Sequence, residues 1–234
     1  MKCGRQLTPL ELVPVFSYLF LKGRCKGCGE PISPRYMLVE LLTGTVYLWV
    51  FLRYGLSIET LALIYLLSVL LILFFIDLDH MLIPDSLIVT GLLGGSLLYI
   101  YFLLSQVWHV LEGSAYLFYD PVLWYTPLLG MLSSSAVLLV VALVGFLIYG
   151  NEGAMGMGDV KLFLPIGLFL GWKLCLLALF IAVICGGIRG IFLIFLHRAN
   201  RKSEIPFGPF IVLGAFLSSL YGNELLGWYL ALLK

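Results

Sequence analysis

The sequence predicts an all-α fold: a polytopic transmembrane helical bundle of about seven spans with a small N-terminal cytoplasmic cap. Three observations carry this: scarce charge, long apolar runs, and the sorting of the charges that remain. Of 234 residues, 62% are hydrophobic and only 12% are charged, and the mean hydropathy is +1.07. A soluble globular chain carries about 25% charged residues, so there is too little charge here to coat a water-exposed surface. The apolar residues come in long runs rather than in an alternating or one-faced pattern. Composition therefore excludes a soluble enzyme, a disordered chain and a nucleic-acid binder. The net charge of +1 gains meaning only when each charge is assigned to a side of the membrane.

The elements follow from length, because about 17 to 25 apolar residues cross the hydrocarbon core as a helix that bonds its own backbone. Residues 59–76, 86–104, 127–149 and 174–196 qualify well. Residues 37–52 are slightly short, and 207–233 are long and broken by Gly214 and Gly222; both read as spans. Residues 162–172 are short enough to be re-entrant. Counting them as a span places Lys2, Arg5, Lys22, Arg24, Lys26, Arg35, Lys161, Arg198, Arg201 and Lys202 on one side, against Arg53, Lys173 and Lys234 on the other. The positive-inside rule makes the first side cytoplasmic. Leaving the short segment uncrossed would turn Arg198, Arg201 and Lys202 outward, which favours the crossing. The same count puts residues 105–126 outside, where Trp108, Tyr116, Phe118, Tyr119, Trp124 and Tyr125 read as an interfacial aromatic belt.

The first 36 residues differ in kind, with three cysteines, four prolines and six basic residues around one apolar run, 12–21. Lys22-Gly23-Arg24 follows that run where a signal peptide would have small residues. The expected division is a cytoplasmic, cysteine-containing cap over 1–36 and a membrane domain over 37–234. No internal repeat is visible.

Carboxylates near a bilayer are costly and therefore informative in so uncharged a chain. Asp77, Asp79 and Asp85 lie in Ile76-Asp77-Leu78-Asp79-His80-Met81-Leu82-Ile83-Pro84-Asp85, and Asp159 in Gly156-Met157-Gly158-Asp159-Val160-Lys161. The span count brings both clusters to the same membrane face, as an aspartic protease requires. Like charges within hydrogen-bonding distance share one proton and titrate as a unit. One carboxylate then activates water while its protonated partner bonds the scissile carbonyl. Gly156 and Gly158 would let the backbone adopt positive φ and come close to an extended substrate. Pro84 would fix the start of the next helix, with Asp85 near its positive end. The plainer reading of each motif alone is a loop or a helix cap. Asp79 and Asp85 are expected to support the site, Glu40 and Lys161 to tune it or position substrate. His80 reads as interfacial, since no second His stands at ligand spacing. Arg189, flanked by Gly186, Gly187 and Gly190, either snorkels to the interface or pairs with a carboxylate.

Cys25-Lys26-Gly27-Cys28 is a C-x-x-C pair, with Cys3 upstream. On a reducing face, thiolate coordination of zinc is the sharper hypothesis than a disulfide. Three cysteines leave a fourth ligand to be borrowed, and the alternative is no metal at all. Cys175 and Cys185 read as core packing.

Taken together these residues resemble the type IV prepilin peptidases, membrane aspartic proteases of bacteria that also serve type II secretion and DNA uptake. The resemblance runs from Arg24-Cys25-Lys26-Gly27-Cys28-Gly29-Glu30-Pro31-Ile32-Ser33-Pro34-Arg35-Tyr36 and Val39-Glu40-Leu41-Leu42-Thr43-Gly44, through both aspartate motifs, to Pro206-Phe207-Gly208-Pro209-Phe210. It implies Asp77 and Asp159 as the catalytic pair. It implies cleavage of the basic leader of prepilins or pseudopilins after a Gly, at the cytoplasmic face of the bacterial inner membrane. It also implies, for many members, N-methylation of the new N-terminus by S-adenosylmethionine. Family members usually begin with a further transmembrane helix and a Cys three residues before the position of Cys3, and this sequence has neither; it is either a natural short form or a chain without its start. That departure touches the zinc site and methyl transfer and leaves both aspartates untouched. The rival is a proton-coupled transporter using the same carboxylates, which predicts pseudo-symmetric halves and acids at the bilayer midplane. A membrane scaffold that only recruits partners is the third reading.

Overall fold

The computed structural model describes residues 3–108, 116–119, 124–150, 156–195 and 206–232, and every named element among them is helical. A 3-10 turn (Pro9–Leu12) and the short helix α1 (Phe16–Phe20) precede six long helices: α2 (Pro34–Tyr54), α3 (Ile58–His80), α4 (Asp85–Trp108), α5 (Thr126–Tyr149), α6 (Met157–Phe195) and α7 (Gly208–Leu232). All six contain stretches long and apolar enough to cross a membrane. Contacts divide the chain into two units, Met1–Arg53 and Tyr54–Lys234, so nearly all of α2 groups with the cysteine-bearing segment.

In the first unit the 3-10 turn is closed by Glu11, whose carboxylate accepts from the backbone N–H and the hydroxyl of Thr8, both at 2.8 Å, and pairs with Arg5. Val15 takes φ 62°, a left-handed conformation that a β-branched residue rarely adopts. Its N–H donates to Glu40 Oε2 at 2.8 Å, which ties this bend to α2.

In the second unit each helix starts and stops for a local reason. Ser57 caps α3 by accepting from Thr60 N–H. At the other end Met81 turns left-handed (φ 50°) and donates its N–H to the Asp77 carbonyl, so Asp77 stands in the last turn. Pro84 then ends the connection and α4 begins at Asp85.

The decisive feature is Gly171, at φ 69° and ψ 174°, a conformation glycine adopts without steric cost. Residues twelve apart on a straight helix are separated by about 18 Å, yet Cys175 Sγ lies 4.0 Å from the Phe163 carbonyl oxygen. Helix α6 is therefore two arms folded back on one another, 157–170 and 172–195. Counting the arms separately gives seven apolar helices among the described residues, one for each segment read from the sequence, and 162–172 lies mostly in the first arm.

Close backbone approach holds the arms in place. A Cβ on Gly167 would lie 2.2 Å from the Gly130 carbonyl of α5, and one on Gly214 of α7 would lie 2.3 Å from the Ala178 carbonyl. Membrane helices associate through such small-residue contacts because lipid supplies no hydrophobic drive between them. Ser218 of α7 donates to the Leu174 carbonyl at 2.6 Å. The end of α3, the starts of the first arm and of α7, and the end of the second arm consequently share one end of the unit. Gly171 and Thr126 share the other.

The aromatic belt is corrected in part. Tyr116 and Tyr119 are 1% and 4% exposed, and their rings meet edge to face at 4.7 Å, with Phe102 and Phe118 against them. The Tyr119 hydroxyl donates to the Leu168 carbonyl, and Glu59 accepts the Leu117 N–H at 3.1 Å. These rings plug the end of the unit rather than lying in the headgroups, because they gain edge-to-face partners there and Tyr119 a backbone acceptor, although the buried Tyr116 hydroxyl has no hydrogen-bond partner among the described residues. Trp124 and Tyr125 are exposed, as a belt needs. The side chain of Trp108 lies outside the described residues.

Candidate active site

Asp77 arrives in the last turn of α3 and Asp159 in the first turn of α6, so both carboxylates stand at the same end of the unit. Asp159 lies within electrostatic range of Asp77. Asp77 is 5% exposed, and its Oδ2 accepts from the backbone N–H of Gly208, the first residue of α7, at 2.9 Å. Asp159 is half-buried, and its own N–H donates to the Gly156 carbonyl at 3.1 Å. Contrary to expectation neither glycine of the Gly-x-Gly-Asp motif takes a positive φ, since Gly158 already lies in the first turn of α6, and the two differ in the space around them. A Cβ on Gly156 would meet Asp159 Oδ2 at 3.4 Å, an ordinary contact, whereas one on Gly158 would press on the Ile83 side chain at 3.0 Å. The motif is thus seated against the α3–α4 connection. A second tie lies beside it, where Lys161 Nζ reaches Asp85 Oδ1 at 2.8 Å.

The sequence matches a known family. A profile for the type IV leader peptidase family covers residues 64–191, and one for the bacterial peptidase A24 N-terminal domain covers residues 1–54. Among curated proteins the chain is 37% identical to the prepilin leader peptidase/N-methyltransferase of Aeromonas salmonicida (strain A449), over 98% of this chain and 73% of that protein. It is 33% identical to that of Bacillus subtilis (strain 168), over 97% and 83%, and 31% identical to that of Pseudomonas aeruginosa, over 98% and 73%. The chain belongs to the type IV leader peptidase family. No solved structure matches it.

The other residues of interest in this leader peptidase distribute as follows. Asp79 and His80 are exposed at the end of α3. Glu40 belongs to the first unit, where it receives the Val15 N–H. The exposed Arg189 guanidinium stands over the Phe210 ring, 5.7 Å from its centroid. A cavity of about 220 Å³ lined by Phe118, Thr126, Trp172, Lys173 and Asn223 lies at the end away from the aspartates.

Cys3, Cys25 and Cys28 come together in the first unit, with ligand atoms all within 4.8 Å of one another. The turn that carries two of them is closed by Gly29 N–H donating to the Cys25 carbonyl and Cys25 N–H donating to the Glu30 carbonyl, both at 2.9 Å. Cys3 and Cys25 Sγ are 3.8 Å apart. A tetrahedral zinc with Zn–S near 2.3 Å sets its sulfurs roughly 3.8 Å apart; Cys3 and Cys25 stand at that spacing, and with Cys28 they would offer such an ion three thiol donors and leave its fourth position to another. The Cys25 thiol is pushed down to about 7, first by the backbone N–H of Cys28, then by that of Gly27.

Gly208 was not singled out from the sequence as a site residue. A backbone donor leaves no residue-type signature, and its only trace was the Pro206-Phe207-Gly208-Pro209-Phe210 run, far from both aspartates along the chain.

Proposed function

We propose that this protein is a membrane-embedded aspartic endopeptidase that removes the basic leader of type IV prepilins or pseudopilins, with Asp77 and Asp159 as its catalytic pair. The observation that carries the reading is the approach of these two carboxylates to within electrostatic range at one end of the membrane helices, far apart as they are in sequence. Two like charges in one site do not both ionise cheaply, so the pair holds a single proton. The ionised member takes a proton from water as the water oxygen bonds to the scissile carbonyl carbon. The protonated member gives its proton to the carbonyl oxygen, forming a neutral gem-diol. As that species collapses, one hydroxyl returns its proton to the pair, the departing amine nitrogen is protonated from it, and the C–N bond breaks. The pair ends with the single proton it began with.

The same reading places the site at the cytoplasmic face of the bacterial inner membrane, supported by the positive-inside count of basic residues, and makes residues 1–36 cytoplasmic. The relatives' names carry N-methyltransferase as well as leader peptidase. Methyl transfer from S-adenosylmethionine to the new N-terminus is the second activity of this proposal, and cleavage does not depend on it. Cys3, Cys25 and Cys28 would hold a zinc ion that cross-links the first unit. The transporter alternative calls for acids at mid-depth, whereas Asp77 and Asp159 occupy terminal turns of their helices.

The test is cleavage of a type IV prepilin by membranes carrying Asp77→Asn, Asp159→Asn or Asp79→Asn, read as product mass. The first two should lose on the order of 10²–10⁴-fold in rate and the third should still cut. Retained cleavage by Asp77→Asn or Asp159→Asn would remove the pair from the chemistry. A product lacking the leader but carrying no methyl group, with S-adenosylmethionine present, would restrict the activity to proteolysis.

A further inference from the structure

The first turn of α7 accounts for every backbone donor it has. Phe210 and Ile211 donate to the Phe207 carbonyl at 3.0 and 3.2 Å, Pro209 has no N–H, and Gly208 donates to Asp77 Oδ2 at 2.9 Å. Helix starts usually satisfy such groups with a neighbouring Ser, Thr, Asn or Asp. Phe207 cannot do so, and the acceptor is a carboxylate 131 residues away. The approach is close enough to demand glycine. A Cβ at position 208 would lie 2.5 Å from Asp77 Oδ2, 3.0 Å from its Cγ and 3.3 Å from its Cβ. Gly208 is not among the glycines with positive φ, so space and not backbone freedom sets the requirement. The start of α7 is in turn held against the second arm of α6, where a Cβ on Gly186 would meet the Phe207 ring at 3.1 Å and Arg189 lies over Phe210.

We propose that Gly208 is a positioning residue for proteolysis: its N–H fixes Asp77 Oδ2 and leaves Oδ1 as the oxygen that faces the water and the shared proton. This rests on Asp77 and Asp159 being the catalytic pair. An amide N–H only donates, and the more basic, unprotonated oxygen is the better acceptor, so the bond at 2.9 Å disfavours a proton on Oδ2. The proton of the pair is therefore directed to Asp159 or to Oδ1 of Asp77. The Pro206-Phe207-Gly208-Pro209-Phe210 run is thereby assigned to the orientation of one catalytic oxygen.

The test is steady-state cleavage of a prepilin by the full chain carrying Gly208→Ala, with Gly187→Ala as control because a Cβ there meets nothing within 4 Å. Displacing a reacting group by about 1 Å costs on the order of 10²-fold. The expected result is a loss of that size in kcat with KM changed by less than about threefold, while Gly187→Ala behaves as the parent. Should Gly208→Ala fail to fold, replacing the 208 amide by an ester in a semisynthetic chain removes the donor without adding an atom, and the same kcat loss is expected. Parental kcat in either variant, or a loss carried by KM, overturns the proposal. Asp77→Asn in the same assay keeps the two readings separable: cleavage by that variant would remove the catalytic pair itself, whereas an inactive Asp77→Asn beside a fully active Gly208→Ala would remove only the positioning role.

Discussion

Lys161 Nζ lies 2.8 Å from Asp85 Oδ1 and joins the first turn of α6 to the first residue of α4, directly beside the Gly158–Ile83 contact. Both side chains are well exposed, at 45% and 71%, so the attraction is screened and worth about 0–1 kcal/mol. Lys161→Met and Asp85→Asn should each shift the thermal midpoint in detergent only slightly, and the double variant should show little coupling. Cleavage should fall by less than about tenfold, because the pair lends alignment rather than a reacting group. A loss as deep as that of Asp159→Asn in the Asp85→Asn protein would show instead that Asp85 takes part in the chemistry.

The contact between Gly130 and Gly167 sets a stability prediction. The atoms that a Cβ on Gly167 would strike are backbone atoms of Gly130 and Met131, at 2.2 to 2.4 Å, and backbone has no rotamer by which to withdraw. Gly167→Ala should therefore destabilise by at least the roughly 1–3 kcal/mol of an overpacked core, even though alanine is the better helix former. Gly187→Ala, in open space, should stay within about 0.5 kcal/mol of the parent. Thermal unfolding of the two variants in one detergent distinguishes them, and equal midpoints would show that α5 and the first arm of α6 do not touch at these glycines.

How much of this was legible in the sequence depended on whether a physical constraint acts along the chain or across it. The apolar spans were legible because bilayer thickness dictates their length. The reversal at Gly171 was legible only indirectly, through the cost of turning Arg198, Arg201 and Lys202 outward. The meeting of Asp77 and Asp159 followed from crossing parity, which places helix ends without fixing distances. Pairings across the chain had no such guide. Nothing in the spacing of Lys161 and Asp85 announces a salt bridge, and nothing marks the Gly208 amide as a donor to Asp77. Tyr116 and Tyr119 were misread because a ring at an interface and a ring plugging a helix bundle have the same composition. Burial of both rings, and for Tyr119 the Leu168 carbonyl that accepts from its hydroxyl, separate the two.

The cysteine cluster predicts a metal stoichiometry. Purified protein supplied with zinc should hold one ion per chain by elemental analysis, since three thiols already lie within 4.8 Å of one another. Cys3→Ser, Cys25→Ser or Cys28→Ser should each weaken binding by more than the roughly 10–100-fold that loss of an outer partner costs. Leader cleavage should survive in all three, because the aspartates stand in the other unit. Zinc retained at full stoichiometry in the Cys25→Ser protein would show that the ion is held elsewhere.

Glu11 gives the first unit an acid-sensitive turn. Its carboxyl is drawn from the ordinary 4.5 to about 2, first by the Thr8 backbone N–H, then by the Thr8 hydroxyl and by Arg5. A value lower in the folded chain than in the unfolded one means that folding favours the ionised form. The stabilisation is therefore complete above about pH 4.5 and disappears as pH falls toward 2. Amide exchange at Thr8, corrected for its intrinsic pH dependence, should show protection at pH 6 that is lost by pH 2. Glu11→Gln cannot ionise, so its protection at pH 6 should be weaker than the parent's and should no longer change across that window. Equal protection of the parent at both pH values would mean that the carboxylate does not hold this turn, and the pairing with Arg5 would then be incidental to the fold of the segment.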